Sequence, residues 1–266
     1  MSFEVGVTTS AVFGGGLLED IERAANAGAE TFEFYSWQDV DFDAVRETAQ
    51  AHGIRPAGTL AAGVGSNIGD AEGQAVSYPD DFADAVSDIE RSIEAADELG
   101  ADVLIVTVGQ RLDTLSRATQ HNAMVRVFRE IAPTAAAHGV TVTPEPLNTR
   151  VDHPGYVLET SDQAFELIEA VDHPNVKALF DIYHQQITEG NIIQTLREGM
   201  EYIGHIHIAD VPGRHEPATG ELNYANIFDA IVEAGYEGVV ACEFGPAGDP
   251  AEAVEHVVGL ADEARP

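Results

Sequence analysis

The chain has 266 residues, 44% of them hydrophobic, and carries 46 Asp and Glu against 13 Lys and Arg, a formal net charge of −33 at pH 7. This length buries a core large enough for one α/β barrel, so residues 1–266 are expected to form a single domain. A surface this acidic repels phosphate backbones and anionic lipid, which argues against nucleic-acid or membrane partners and for a small-molecule one.

Short β-branched or aromatic runs alternate with longer stretches of helical periodicity, the pattern of repeated βα units. The first strand is expected at Glu4–Thr9; the glycines Gly14–Gly16 then read as a flexible loop rather than a phosphate cradle, and a helix starts near Leu17. A second strand at Glu30–Tyr35 precedes a helix from Asp41. The third, Ile54–Leu60, runs into a long Gly- and Ser-rich segment, Ala61–Pro79, before a helix from Asp80. Strands at Asp102–Val108, Thr141–Glu145 and Val176–Asp181 alternate with helices from Thr119, Ser161 and Asn191. The last two strands, Ile203–Ala209 and Gly238–Phe244, precede helices from Asn223 and Asp249, and a second long loop lies at Ala209–Leu222.

In NAGAE, AHGIR, ELGAD, AHGVT and EAGYE a glycine stands where each helix must stop before the next strand. Eight such pairs without a charged linker favour a closed (β/α)₈ TIM barrel over an open doubly wound sheet. Nothing like G-x-G-x-x-G follows the first strand, so a dinucleotide site has no support. Both long loops follow strands and therefore lie on the catalytic face, where loops of this length often act as lids.

Metal chemistry needs several donors converging on one point, and in a barrel these come from the ends of different strands. TVTPEPLN places Glu145 at the end of strand five, ALFDIYH places Asp181 at the end of strand six, HIHIAD places His207 in strand seven, and VACEFGP places Glu243 at the end of strand eight. A strand-terminal acid taken alone reads equally well as a solvated group or a helix cap. Four donors on consecutive strands point to one divalent metal, with magnesium or manganese suited to oxygen-rich ligation with one imidazole, and zinc or cobalt as alternatives. Alternation along H-I-H-I sends His205 and His207 to the same interior face, the later one as ligand and His205 as a hydrogen-bonded core histidine. The same period turns Cys242 away from Glu243, into the wall as a packed hydrophobe.

Cys242 is the sole cysteine, so no intrachain disulfide can form; with no cationic apolar leader and no membrane-spanning apolar run, the cytoplasm is the expected compartment. Lys177 is the only lysine, and Asp, Glu and Ala fill helical stretches such as DDFADAVSDIERSIEAADELGA, which resembles the surfaces of proteins from salt-loving microbes.

FDIYHQQ, HIHIADVPGRHEPATGELNY and the E-P-L-N around Glu145 resemble the hydroxypyruvate isomerase family of the xylose-isomerase-like barrels, most strongly from Gly139 to Pro246. The resemblance implies a (β/α)₈ barrel with one divalent metal, usually magnesium or manganese, that interconverts hydroxypyruvate and tartronate semialdehyde; related barrels isomerise or epimerise ketoses and 2-oxo-tetronates. It makes Glu145 and Glu243 both metal ligands and the acid/base pair, Asp181 and His207 the remaining ligands, and His184 and Arg214 contacts to substrate oxygens. A guanidinium beside a metal is well suited to a carboxylate or hydroxyl. The implied reaction passes through a cis-enediolate whose charge the metal stabilises, one glutamate taking the carbon-bound proton and the other returning one to the adjacent carbon. The chain departs from the family at His207, where Gln is common and the related ketose epimerases have His. It departs again after strand three, which reads LAAGVGSNIGDAEGQAVSYPDD in place of N-x-P-A-G-D-W and G-E-R-G, and at the end of strand four, VTVGQ in place of N-x-L-A-G. These loops shape the substrate pocket, so the resemblance carries the reaction class ahead of hydroxypyruvate itself. Barrels of this family often pair, and a homo-oligomer is an open expectation.

Ketose 3-epimerisation, 2-oxo-tetronate isomerisation or dehydration of an inosose-type polyol would keep the metal and change the product. A hydrolytic reading, resembling the endonuclease IV branch of the fold, needs a multi-zinc cluster with extra histidines. His52, His121, His138, His153, His173 and His256 fall mainly in predicted helices or on the helix side of turns, and the charge is wrong for DNA. A non-catalytic sugar-binding barrel would need no Glu145 and Glu243 pair.

Overall fold

A computed structural model describes residues 2–265. Eight strands, β1 (Glu4–Thr8), β2 (Thr31–Phe34), β3 (Arg55–Leu60), β4 (Val103–Val106), β5 (Thr141–Pro144), β6 (Ala178–Asp181), β7 (Ile203–Ile208) and β8 (Val239–Cys242), lie in the order β5-β4-β3-β2-β1-β8-β7-β6. Every pairing between them is parallel. The two ends of that order meet: Val142 bridges Val176, its amide donates to Asn175 O at 2.8 Å, and the Lys177 amide donates to Val142 O at 3.1 Å. The sheet therefore closes into a barrel, and the open alternative is set aside.

The helices are α1 (Thr9–Val12), α2 (Leu17–Asn26), α3 (Phe42–His52), α4 (Phe82–Leu99), α5 (Arg117–His138), α6 (Ser161–Val171), α7 (Ile182–Thr188), α8 (Ile192–Gly199), α9 (Tyr224–Glu233) and α10 (Pro250–Ala264). Eight of them occupy the expected intervals; α1 and α7 are extra, each springing directly from the end of a strand. Local sequence sets the boundaries. Asp41, Ser116, Asn223 and Asp249 accept backbone amides at the starts of α3, α5, α9 and α10, and Thr160 with Gln163 forms a capping box on α6, each cap worth about 1 kcal/mol. Gly53, Gly100 and Gly139 end α3, α4 and α5 in the left-handed region.

Strand side chains alternate between two environments. Val5, Val7, Phe32, Phe34, Leu104, Val106, Ile206, Ile208 and Cys242 belong to the large buried layer shared with the helices. The other face fills the barrel, starting with Ala57, Val239 and Ala241, then Val103, Ile105 and Leu179. The barrel is so narrow here that a Cβ on Gly6 would stand 2.7 Å from both Thr31 Oγ1 and Val239 Cγ1. Toward the C-terminal ends of the strands the filling turns polar, with Thr8, Glu33, Thr143, Asp181, His205 and His207 all buried.

The segment after β3 is held to its neighbour at several points. Thr107 N donates to Gly65 O at 2.9 Å, Ser77 N to Val108 O at 3.1 Å, and Gln110 Nε2 to Ile68 O at 3.0 Å. Gly109, at φ 93°, allows the closest approach, since a Cβ there would lie 2.3 Å from Ala75 Cβ. The loop after β7 is organised by buried Asp210, which accepts from Val211 N and Leu222 N through Oδ1 and from Gly220 N through Oδ2. In the Gly14–Gly16 loop the Gly15 amide donates to Asp20 Oδ2 at 2.8 Å, so that amide is already engaged by the chain's own carboxylate, which supports the loop reading over a phosphate cradle. Among the described residues no helix is long and apolar enough to cross a membrane.

Candidate metal centre and active site

Barrel closure brings Glu145, Asp181, His207 and Glu243 together at the C-terminal mouth. One ligand atom from each lies within 4.8 Å of the others, and all four residues are buried. His207 Nδ1 stands 3.2 Å from Glu243 Oε2 and 3.9 Å from Glu145 Oε1. Asp181 divides its carboxylate: Oδ1 caps α7 by accepting from Tyr183 N at 2.7 Å and His184 N at 3.2 Å, while Oδ2 faces Arg214 Nη2 at 3.5 Å. The donor set fits a hard divalent cation. Three buried carboxylates converge with an imidazole whose Nδ1 has no hydrogen-bond partner, and buried like charges at this spacing call for a cation among them.

The carboxyls differ in their surroundings. Burial, then the charge of Glu243, pushes Glu145 well above the ordinary carboxylate range. Burial also raises Asp181, to about 6, against the opposing charge of Arg214. For Glu243 burial loses: the charges of Arg214 and His207 hold it well below its ordinary value. His207 is raised despite its burial, because Glu33 and Glu243 face it.

Arg214 donates to Glu243 Oε2 and lies with Cζ 5.1 Å from the centroid of the Tyr183 ring. Its φ of 55° is left-handed, which costs a non-glycine residue roughly 1–2 kcal/mol. That conformation is fixed from both sides, by Arg214 N on Asp210 O at 3.1 Å and Gly245 N on Arg214 O at 3.0 Å. His184 is fully buried, with Nδ1 2.6 Å from Asn148 Nδ2, so Nδ1 accepts and Nε2 carries the proton. Burial and Arg214 keep its ring neutral. It lies in the first turn of α7 and also lines the site, so the helix-start position and a substrate-facing one coincide.

Glu145, His184, His207, Arg214 and Glu243 line a cavity of about 310 Å³, with Leu60, Ile68, Ile105 and Leu147 as its apolar wall. Three further polar groups belong to it or support it, none of them among the expected site residues. Tyr35 donates to Glu243 Oε1 at 2.6 Å. Glu33, below the mouth, accepts from Thr8 Oγ1 at 2.5 Å and lies 2.8 Å from both His205 Nε2 and His207 Nε2. Burial would raise Glu33, but the two histidines hold it below the usual carboxylate range. The signal was present in T-F-E-F-Y, where the strand period turns Thr31, Glu33 and Tyr35 inward together. His153 is the third: it lines the cavity, whereas the histidines outside the ligand set are expected mainly in helices or on the helix side of turns. Asn148 Oδ1 accepts from Val151 N and Asp152 N, and this turn swings His153 into the cavity, its ring 5.3 Å from that of His184. His205 and Cys242 are where alternation puts them, hydrogen-bonded inside and packed outside respectively.

The model of the xylose isomerase-like TIM barrel family matches residues 21–261. A 2-oxo-tetronate isomerase of Cupriavidus necator is 41% identical over 164 residues, 62% of this chain and 63% of that protein, so the chain spans about three fifths of its length. The hydroxypyruvate isomerase of Escherichia coli (strain K12) is 32% identical over 86% of this chain and 88% of its own. A crystal structure described as an AP endonuclease, family 2, from Brucella melitensis superposes with a TM-score of 0.86 at 29% identity, covering 97% of this chain and 98% of that one. The chain therefore belongs to the xylose isomerase-like TIM barrel family, among relatives named hydroxypyruvate isomerase and 2-oxo-tetronate isomerase.

Proposed function

We propose that this chain is a metal-dependent isomerase of small hydroxy-carbonyl acids or sugars, with hydroxypyruvate to tartronate semialdehyde as its first candidate reaction. The observation that carries the reading is the convergence of Glu145, Asp181, His207 and Glu243 within 4.8 Å at the barrel mouth. When bound there, a divalent ion, magnesium or manganese by the donor set, polarises a carbonyl and stabilises enediolate charge.

The side chains supply the rest. Glu145 and Glu243 both converge on His207 Nδ1, at 3.9 and 3.2 Å, and give the site the two carboxylates an acid and base pair needs. One takes the proton from the hydroxyl-bearing carbon and the other returns one to its neighbour. Arg214 and His184 offer N–H groups to the substrate's carboxylate and hydroxyl oxygens, and the apolar wall limits water around the carbanion-like carbon.

A 2-oxo-tetronate substrate is the second reading, favoured by the 41% identity to the Cupriavidus necator relative and by a cavity of about 310 Å³ that accepts a fourth carbon; ketose 3-epimerisation uses the same site. Cleavage of DNA is disfavoured by the net charge of −33. The same charge and the lone lysine support a salt-rich cytoplasm as the setting, with a small molecule as the partner.

Proton NMR in D₂O and high salt, with manganese-free magnesium-loaded protein, tests the reading. Deuterium uptake into hydroxypyruvate with appearance of tartronate semialdehyde is the expected result. Exchange only into a 2-oxo-tetronate or a ketose moves the substrate, and exchange into none of them refutes the isomerase.

A further inference from the structure

We infer that Glu33 is a positioning residue for the metal centre: its buried carboxylate, in ion-pair contact with Nε2 of His207, sets that ring so that Nδ1 is the atom presented to the ion. This rests on the metal-dependent reading above and extends it to a residue outside the four ligands.

Glu33 is 1% exposed in the barrel interior, one layer below the mouth. Its Oε2 takes His205 Nε2 at 2.8 Å, and its Oε1 faces both Thr8 Oγ1 and His207 Nε2, at 2.5 and 2.8 Å. A carboxylate only accepts, so Thr8 and His205 donate to it, and its charge favours a proton on the His207 nitrogen that faces it. With the proton there, Nδ1, 3.2 Å from Glu243 Oε2 and 3.9 Å from Glu145 Oε1, is the atom aimed at the ligand cluster, and neither ring nitrogen has a hydrogen-bond partner among the described residues. His205 braces the carboxylate from the other side, its ring edge-on to that of His207 at 5.0 Å. Ligating histidines are oriented and made more basic by such a partner on the second ring nitrogen.

Glu33, His205 and His207 also satisfy the spacing of a metal-binding group by themselves. The contacts decide against a second ion there. Two donors on one tetrahedral ion with bonds of about 2.0–2.1 Å stand roughly 3.3 Å apart, whereas both Glu33–histidine contacts are 2.8 Å, shorter than that separation, and Thr8 occupies the carboxylate as well.

Glu33→Gln keeps the shape but offers an amide, whose N–H₂ turned toward His207 would favour the Nδ1–H tautomer and block the ligand atom. The experiment is manganese titration of wild type and Glu33→Gln, read by the electron paramagnetic resonance of free Mn²⁺, with circular dichroism of the metal-free proteins as the control for folding. The expected result is one ion per wild-type chain, and in the variant a Kd about 10–100-fold weaker with unchanged helical signal. Equal Kd values overturn the inference while leaving the metal centre standing. Two ions in wild type and one in the variant would make Glu33 a ligand instead, and no ion in wild type removes the metal-dependent reading together with this one. Should the variant fail to fold, ¹⁵N NMR of the histidines in magnesium-loaded wild type decides: protonation of His207 at Nε2 supports the inference, and protonation at Nδ1 overturns it.

Discussion

Asp181→Asn separates two tasks carried by one carboxyl group. Oδ1 caps α7 and Oδ2 faces the ligand cluster. Asparagine caps a helix about as well as aspartate, so the substitution removes charge and leaves the cap. Burial raises Asp181 from 3.8 to about 6, which means the metal-free folded chain binds this proton more tightly than the unfolded chain does. The resulting destabilisation is absent below about pH 3.8, grows as pH rises through the interval, and is complete above about pH 6, where it reaches on the order of 3 kcal/mol. Arg214 keeps its stronger contact with Glu243 and is not orphaned. In EDTA at pH 7.5 and molar salt, the variant should therefore melt higher than wild type, by about 6–12 °C at the 2–4 °C per kcal/mol typical of this size, with the gap closing toward pH 4. Its Mn²⁺ affinity should fall at the same time, by more than the roughly 10–100-fold typical of an outer-shell partner. Scanning calorimetry and manganese titration read the two effects separately. A lower melting temperature at pH 7.5, or undiminished Mn²⁺ binding, refutes the division of labour.

Glu243→Gln should lower isotope exchange and turnover by about 10²–10⁴-fold, the range for a lost acid or base, with the circular dichroism of the fold retained; full activity would end its assignment. Burial and the charge of Glu243 raise Glu145, and Glu33 and Glu243 raise His207 above its ordinary 6.5, so ion binding displaces protons and affinity should rise with pH. Calorimetry of Mn²⁺ binding at pH 7 in buffers of different ionisation heat measures that release, and a buffer-independent heat contradicts it. The charge of −33 predicts a melting temperature that climbs as salt shortens the Debye length from about 10 Å at 0.1 M to about 3 Å at 1 M. Equal melting in low and molar salt would show that the acidic surface is not under strain.

The sequence by itself determined the repeat and the four residues that converge at the mouth. Period-two strands and glycine-terminated helices are local signals, and eight of each, with donors at the ends of strands five to eight, are legible without a structure because strand alternation and barrel topology fix where those ends go. Asp181 could be placed at the mouth in this way, but its use as the cap of α7 could not, since α7 is an extra turn that only packing against β7 and the E-P-L-N segment makes visible. His153 illustrates the same limit: its sequence neighbours read as a turn, and the Asn148 hydrogen bonds that swing it beside His184 form between atoms whose proximity comes from the barrel. Glu33 and His205 are 172 residues apart and meet inside the barrel at 2.8 Å. Composition and periodicity report which face a residue occupies; which residue stands opposite it is decided by strand register and closure, and that long-range geometry turns inward-facing acids and histidines into one connected site.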